Sequence, residues 1–522
     1  MKSKQQQSSL VTWLFSLPFR ILFSRFTLAI LALTIQVAII YFGAVFFSKY
    51  MLWLFGGATI LGLILVIYII NQSDNPSFQI SWIILILVFP ALGVFIYLFV
   101  KLQIGVYSIS KRYEKINQEM AFYQPQDETT LHVLENKDPL VANYVKYMNH
   151  VSKYAIYQNT TSTYFPLGEE AFLKLLEDLR NAKEYIFLEF FIVAKGVMWN
   201  AVLEILKQKV KEGVIVRMLY DGTCSFTLLP HDYPLYLEDY GILCKVFNPV
   251  VPVISTQYNN RDHRKIVVID GKIAYTGGVN LADEYINHIE RFGHWKDNMI
   301  RLEGEAVRGF VLMFLENWQI NEKEETEYQS FLPVTSQITS SSFVLPFGDN
   351  PFDKFQVGEV TYFHILQTAK KYVHIMTPYL ILDHEMLNTI RNVALSGVEV
   401  ILLLPHIADK KAVYYMAHTY YKDLLKAGVK IYEYTPGFVH AKMFVSDDEK
   451  AVIGSVNLDF RSLYLNFEDA VYMYQDPTIL KMEEDFQNTL SMSQEITWEV
   501  EKEFSLRKKF IGRILRVFAP LI

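Results

Sequence analysis

The chain repeats itself, and the repeat dictates its architecture. His263-x-Lys265-x4-Asp270 recurs as His440-x-Lys442-x4-Asp447. Each copy is followed by a glycine-bearing turn and an Asn, Gly277-Gly278-x-Asn280 and Gly454-Ser455-x-Asn457, with the Asn 17 residues after its His. The surroundings repeat as well. Ala182-Lys183-Glu184-Tyr185-Ile186 opens an apolar run to Val193, and Ala369-Lys370-Lys371-Tyr372-Val373 opens one toward Tyr379. Each is followed by a helical stretch and a Gly-Val-led strand, 213–220 and 397–405. Gly241-Ile242 and Gly428-Val429 then lead a further strand into the His motif. Strand–helix–strand written twice predicts two α/β lobes with largely parallel or mixed sheets. Two copies suit a pseudo-twofold pair, since a solenoid needs more. The lobes are expected over 156–325 and 346–500. A Glu-, Ser- and Thr-rich connector is expected over 326–345, and a linker over 101–155.

Within each motif, His and Lys alternate with one residue, so on a strand they share a face, ~6.5–7 Å apart. A duplicated His/Lys/Asn set suits a site that holds one phosphodiester between two imidazoles. One His attacks phosphorus and the other protonates the leaving oxygen. Lys265 and Lys442 supply positive charge, and Asn280 and Asn457 supply amide donors for the phosphate oxygens. Asp270 and Asp447 are counted with the His and Lys as the catalytic motif set, although they end their strands and read as turn contacts. No metal and no cofactor is expected, because a Lys ammonium is not a metal ligand at neutral pH. The only cysteines, Cys224 and Cys244, exclude a disulfide scaffold. A net charge of −6 disfavours nucleic acid as a partner. His294, His374, His406 and His418 lack the doubled context and are read as structural. The tyrosines of Tyr414-Tyr415 and Tyr420-Tyr421 are read as core or lipid-facing. Arg264 is a candidate phosphate contact, Thr377-Pro378-Tyr379 a candidate pocket wall, and the buried carboxylate expected at Glu189 calls for a partner such as Lys265.

Hydrophobic residues make up 51% of the chain and concentrate in the first hundred positions. Charge-free runs at 27–47, 51–70 and 80–100 are each long enough to cross a ~30 Å hydrocarbon layer. Residues 1–100 therefore read as a membrane anchor of two or three spans. Basic residues flank it on both sides, Lys2, Lys4, Arg20 and Arg25 before, Lys101, Lys111, Arg112 and Lys115 after. Three crossings would separate these flanks, against the positive-inside tendency. A multi-pass cell-membrane protein with its catalytic part in the cytoplasm is the expectation. Residues 501–522 form a basic amphipathic helix, with Arg507, Lys508, Lys509, Arg513 and Arg516 beside an apolar face. Such a helix suits an anionic lipid surface.

At these residues the chain resembles the bacterial cardiolipin synthases of the phospholipase D superfamily. Beyond the two motifs, the strings Tyr164-Phe165-Pro166-Leu167-Gly168, Asn259-Asn260-Arg261-Asp262-His263, Gly277-Gly278-Val279-Asn280-Leu281-Ala282-Asp283-Glu284-Tyr285, Thr377-Pro378-Tyr379 and Asn457-Leu458-Asp459-x-Arg461-Ser462 carry the likeness. Cys224 stands where such proteins often have Gly. The resemblance implies that two phosphatidylglycerols become cardiolipin and glycerol through a phosphohistidine, with His263 as nucleophile and His440 as acid/base. The pseudo-symmetry permits the reverse. It implies Glu468 as the orienting carboxylate for His440 and Asp297 for His263. Phosphatidylglycerol and cardiolipin in the bilayer are the implied partners, with self-association left open. The alternative is a hydrolytic phospholipase D, or a transferase using another alcohol or donor.

Overall fold

The computed structural model describes residues 34–39, 41–42, 48–101, 104–249, 259–320, 322, 327–332, 338–352 and 355–521. They fall into two units, one holding the N-terminal helices and the chain end from Val517, the other running from Tyr107 to Arg516.

In the first unit, α1 (Ser48–Ile70) covers the second apolar run, and α2 (Pro76–Val88) and α3 (Pro90–Lys101) divide the third. Asn75 caps α2, its side chain accepting from the Ser77 amide at 2.9 Å. The run at 80–100 was expected as one span; it breaks at Pro90. Proline has no N–H to continue the ladder and pushes the residue before it out of the helical region. Phe89 accordingly lies at φ −130°, ψ 71°. The halves have 13 and 12 residues, short of the ~20 that a crossing needs. Gly93 permits the tight turn, since a Cβ there would come within 2.6 Å of the Ile86 Cα. Among the described residues, no helix is long and apolar enough to cross a membrane. The expected run at 27–47 lies for the most part outside the described residues.

The second unit contains the two lobes. The first is built on β1 (Thr160–Phe165), β2 (Tyr185–Phe190), β3 (Ile215–Asp221), β4 (Leu243–Phe247), β5 (Lys265–Ile269), β6 (Ile273–Gly277), β7 (His294–Lys296) and β8 (Met299–Gly304). The second is built on β9 (Phe343–Asp349), β10 (Tyr372–Met376), β11 (Glu399–Pro405), β12 (Lys430–Tyr434), β13 (Gly437–Val439), β14 (Met443–Ser446), β15 (Lys450–Gly454), β16 (Glu468–Tyr474) and β17 (Ser493–Glu495). The strand orders match: β1-β8-β6-β5-β2-β3-β4 in one sheet, β9-β16-β15-β14-β10-β11-β12 in the other, with β17 added at the edge. β2-β3-β4 and β10-β11-β12 run parallel, and the rest of each sheet is antiparallel. The mixed α/β lobes expected from the repeat are present.

Period-2 alternation decides which side chains meet where. Along β2, Ile186, Leu188 and Phe190 face an outer core under α4 (Gly168–Asn181) and α5 (Val197–Lys211). Tyr185 and Phe187 face an inner core instead. On β5, Val267 and Ile269 face outward, and Ile266 and Val268 face inward. The inner core is shared by both lobes, since it also takes Phe347, Ile375, Phe444 and Val471. The helix α6 (Val307–Gln319) lies within it, nearly every residue buried. The stretch 101–155 was expected as a linker. Three helices, Ile104–Ala121, Glu128–Lys137 and Pro139–Ser152, occupy it instead, and they sink Tyr113, Ile116, Leu134, Val145 and Met148 into the shared core. Their apolar residues recur at helical spacing, which a solvated linker does not need.

Candidate active site

Two parallel strand contacts between the lobes assemble the site. β7 pairs with β13, Lys296 opposite Val439. The next residues on the two chains are Asp297 and His440, and the His440 amide donates to the Lys296 carbonyl at 2.7 Å. On the other side, Asp262 bridges Phe467. The next residues there are His263 and Glu468, and the His263 amide donates to the Phe467 carbonyl at 2.8 Å. Each imidazole therefore meets a carboxylate from the opposite lobe. His263 Nδ1 lies 2.8 Å from Glu468 Oε2, and His440 Nδ1 lies 2.6 Å from Asp297 Oδ2. This corrects the sequence expectation, which joined Glu468 to His440 and Asp297 to His263. A carboxylate on Nδ1 fixes the tautomer and leaves Nε2 to do chemistry.

The carboxylates are themselves held. Glu468 accepts from Ser455 Oγ at 2.5 Å and Asn466 Nδ2 at 3.2 Å. Asp297 accepts from the Asn298 amide at 2.9 Å. The two turns differ for a physical reason: a Cβ on Gly278 would fall 1.9 Å from Asp297 Oδ1, while its counterpart Ser455 reaches Glu468. Lys265 Nζ donates to the His263 carbonyl at 2.5 Å, and Lys442 Nζ donates to the His440 carbonyl. Phe191 packs on His263, ring centroids 5.0 Å apart, and Tyr285 and Trp295 pack on His440 at 5.4 and 5.3 Å.

Burial and two nearby ammoniums shape the proton affinities. Both histidines are nearly closed off, 8% and 7% exposed. Burial, then Lys265 and Lys442, hold His263 well below the ordinary imidazole value. Burial and Lys442 bring His440 down to about 4, although Asp297 pulls the other way. Burial also lowers Lys265 to about 8 and Lys442 to about 7. The carboxylates diverge. Burial raises Glu468 to about 7. Burial would raise Asp297 too, but His440 and Lys442 outweigh it and hold the group below the usual range. Neutral imidazoles beside two ammoniums whose charge burial disfavours are arranged to receive an anion.

Comparison with known proteins agrees. A family model described as "Cardiolipin synthase, PLD-like domain" matches residues 175–298 and 362–490, and one described as "Phospholipase_D-nuclease N-terminal" matches 60–101. The chain is 32% identical over 493 residues to the cardiolipin synthase of Alkalihalophilus pseudofirmus, covering 92% of this chain and 97% of that one. The chain belongs to the cardiolipin synthase family. It is also 33% identical over 463 residues to cardiolipin synthase 2 of Bacillus anthracis, covering 86% and 88% of the two chains. An uncharacterized protein of Streptococcus mutans is 44% identical over 461 residues, covering 88% of this chain and 99% of its own. The crystal structure of phosphatidylserine synthase from Haemophilus influenzae shares the fold, with a TM-score of 0.56 at 15% identity over 73% of this chain and 98% of that one.

In this cardiolipin synthase family member, the other motif residues sort by their contacts. Asp270 accepts from the amides of Lys183, Glu184 and Tyr185, and Asp447 from those of Lys370, Lys371 and Tyr372. Both tie a strand end to its neighbour, away from the imidazoles. Asn280 accepts from the Ile192 amide and donates to the Tyr285 hydroxyl, and Asn457 donates to Ser462 Oγ. One amide hydrogen of each is thus already engaged. Arg264 does not reach for phosphate: it is fully buried, donating to Glu316 Oε2 at 3.1 Å and to the carbonyls of Met313 and Glu468. Glu189 does not meet Lys265. Register sets it opposite Ile266 and turns it to the inner face, where Asn317 Nδ2 donates to it at 2.7 Å. Cys224 fastens its loop to the strand before it, its thiol donating to the Phe191 carbonyl at 3.1 Å. His374 and His418 each pair with a glutamate, and Tyr420 and Tyr421 are core residues. Ser455's carboxylate contact, Phe191, Trp295 and Lys410, which bears on His263, went unread in the sequence.

Proposed function

We propose that the chain is a phosphatidyltransferase that makes cardiolipin and glycerol from two phosphatidylglycerols. The observation that carries the reading is the crossed pair of His–carboxylate contacts beside two ammoniums. Lys265 and Lys442 receive the phosphodiester anion, with the second amide hydrogens of Asn280 and Asn457 as further donors. His263 Nε2 attacks phosphorus, forming a P–N bond as the P–O bond to glycerol breaks. His440 gives its proton to that glycerol oxygen. His440 then removes a proton from the terminal hydroxyl of the second phosphatidylglycerol. The resulting oxygen attacks phosphorus, the P–N bond breaks, and cardiolipin leaves with His263 regenerated. Burial and two ammoniums depress His440, and the bound anion offsets the ammoniums, raising its proton affinity at the step that needs it. Ionised Asp297 backs the residue that must carry charge, and Glu468, accepting from His263 Nδ1, leaves the Nε2 lone pair free for attack.

Residence at the cell membrane suits a substrate that stays in the bilayer. Exposed Ile60, Ile64 and Ile67 on α1, Leu87 on α2 and Phe95 on α3 support it, because a surface so apolar is unusual in water. The test is product analysis with pure phosphatidylglycerol. Cardiolipin and glycerol are expected from the intact chain, and neither from His263→Ala or His440→Ala. Phosphatidic acid without cardiolipin would make the protein a hydrolase.

A further inference from the structure

Three helices of the second lobe and the chain's C-terminal part present a second ligand-sized feature, outside both His motifs. They are α7 (Lys411–Lys426), α8 (Trp498–Glu503) and α9 (Leu506–Phe518). The last rests on α7 through small and polar residues rather than its apolar face. A Cβ on Gly512 would lie 2.2 Å from the Tyr415 carbonyl oxygen. The Arg516 guanidinium sits 3.8 Å over the Tyr420 ring, and Lys509 pairs with buried Glu501 at 2.8 Å. The apolar stripe is left facing outward: Leu506, Phe510 and Ile514 are 83%, 64% and 48% exposed. Their spacing of four residues makes one continuous ridge.

Beside the ridge opens a cleft of about 490 Å³. Its lining carries six cations, Lys422, Lys426, Lys502, Lys509, Arg513 and Arg516, against two carboxylates, Asp423 and Glu501. Lys509, Arg513 and Arg516 come from the flank of α9 that borders the ridge, as 3.6 residues per turn requires. Trp498 and Leu506 add apolar wall. A cationic hollow therefore adjoins an exposed apolar ridge on one helix.

We infer that this cleft and ridge bind an anionic phospholipid at the bilayer surface, its phosphate in the cleft and its acyl chains along the ridge. Each half of the feature answers one half of such a molecule. A free anion has no use for the ridge. A protein partner would cover the ridge, but the cores of protein interfaces are depleted in lysine, and three lysines and two arginines here remain after Lys509 is paired with Glu501. None of His263, Lys265, His440 and Lys442 lines the cleft, so the site is distinct from the proposed catalytic one and does not rest on that reading.

The test places a polarity-sensitive fluorophore on Phe510→Cys in the full chain. Labelling is selective because Cys224 and Cys244 are both buried. The labelled protein is reconstituted into vesicles of phosphatidylcholine alone, or with about one-third phosphatidylglycerol. A blue shift confined to the anionic vesicles is expected. Lys426→Glu with Arg513→Glu, both on exposed side chains, is expected to abolish most of that shift while leaving the fold intact by circular dichroism. Inorganic phosphate, matched in ionic strength with chloride, is expected neither to produce the shift nor to remove it. Equal emission in the two vesicles would overturn the proposal. So would selective loss of the shift with phosphate, which would mark a free-anion site. A shift already present in detergent that grows with protein concentration would assign the ridge to a second copy of the chain and equally overturn it.

Discussion

At the scale of single residues, the roles proposed for the two histidines are separable by measurement. A phosphodiester with a nitrophenolate leaving group needs no proton for P–O cleavage. His440→Ala should therefore still be charged by such a lipid, and should accumulate phosphatidyl adduct on the peptide containing His263. His263→Ala should form none. Adduct on His440 in the latter variant would exchange the two roles. The lysines set a second expectation. Burial lowers Lys265 to about 8 and Lys442 to about 7 from 10.5, so in the free enzyme each gives up its proton as pH rises through those values. The attraction for a phosphate anion falls with it. The alkaline limb of kcat/KM should accordingly lie between about pH 7 and 9, well below the ordinary lysine range. A profile flat to pH 10 would remove the lysines from phosphate binding.

Among the elements, the strand ends separate fold from chemistry within a single motif. Asp447, at φ 57° in the left-handed region, accepts three backbone amides from the segment leading into β10. Asp447→Ala strips all three of an anionic acceptor, and a loss of about 2–4 kcal/mol in unfolding free energy is expected, read by denaturant titration. Protein that remains folded should keep its KM. Lys442→Ala should do the opposite, losing turnover without comparable loss of stability. The sequence carried this distinction, because an Asp that closes a short, mostly apolar strand reads as a turn residue. It also carried the two lobes, through the matched order of strand, helix and Gly-Val strand. The break in the third apolar run was present as Phe89-Pro90, but a proline is also tolerated within a membrane helix, and only the backbone at Phe89 decides between the two. The pairings of His440 with Asp297 and of His263 with Glu468 were not legible. The first depends on β7 meeting β13 and the second on Asp262 meeting Phe467, contacts between segments over a hundred residues apart that no local pattern encodes.

For the molecule as a whole, the crossed carboxylates mean that neither lobe holds a complete site, so catalysis is conditional on their docking. The shared core makes that docking part of folding. Arg264 is its electrostatic counterpart. It belongs to the first lobe, is sealed from water, pairs with Glu316 on α6, and donates to the carbonyl of Glu468 in the second lobe. Replacing it with leucine leaves Glu316 buried without its cation, which costs about 3–5 kcal/mol. Because the contact straddles both lobes, the loss should be felt by both. Hydrogen exchange on the full chain should show peptides of the β1–β8 sheet and of β9–β16 losing protection together, in one transition shifted to lower temperature. Arg264→Leu combined with Glu316→Leu should recover much of the stability, since an apolar pair of similar volume removes the stranded charge. If the first lobe opened while β9–β16 stayed protected, the lobes would be independent bodies, and the carboxylate each lends the other would be a contact of convenience rather than a condition of the fold.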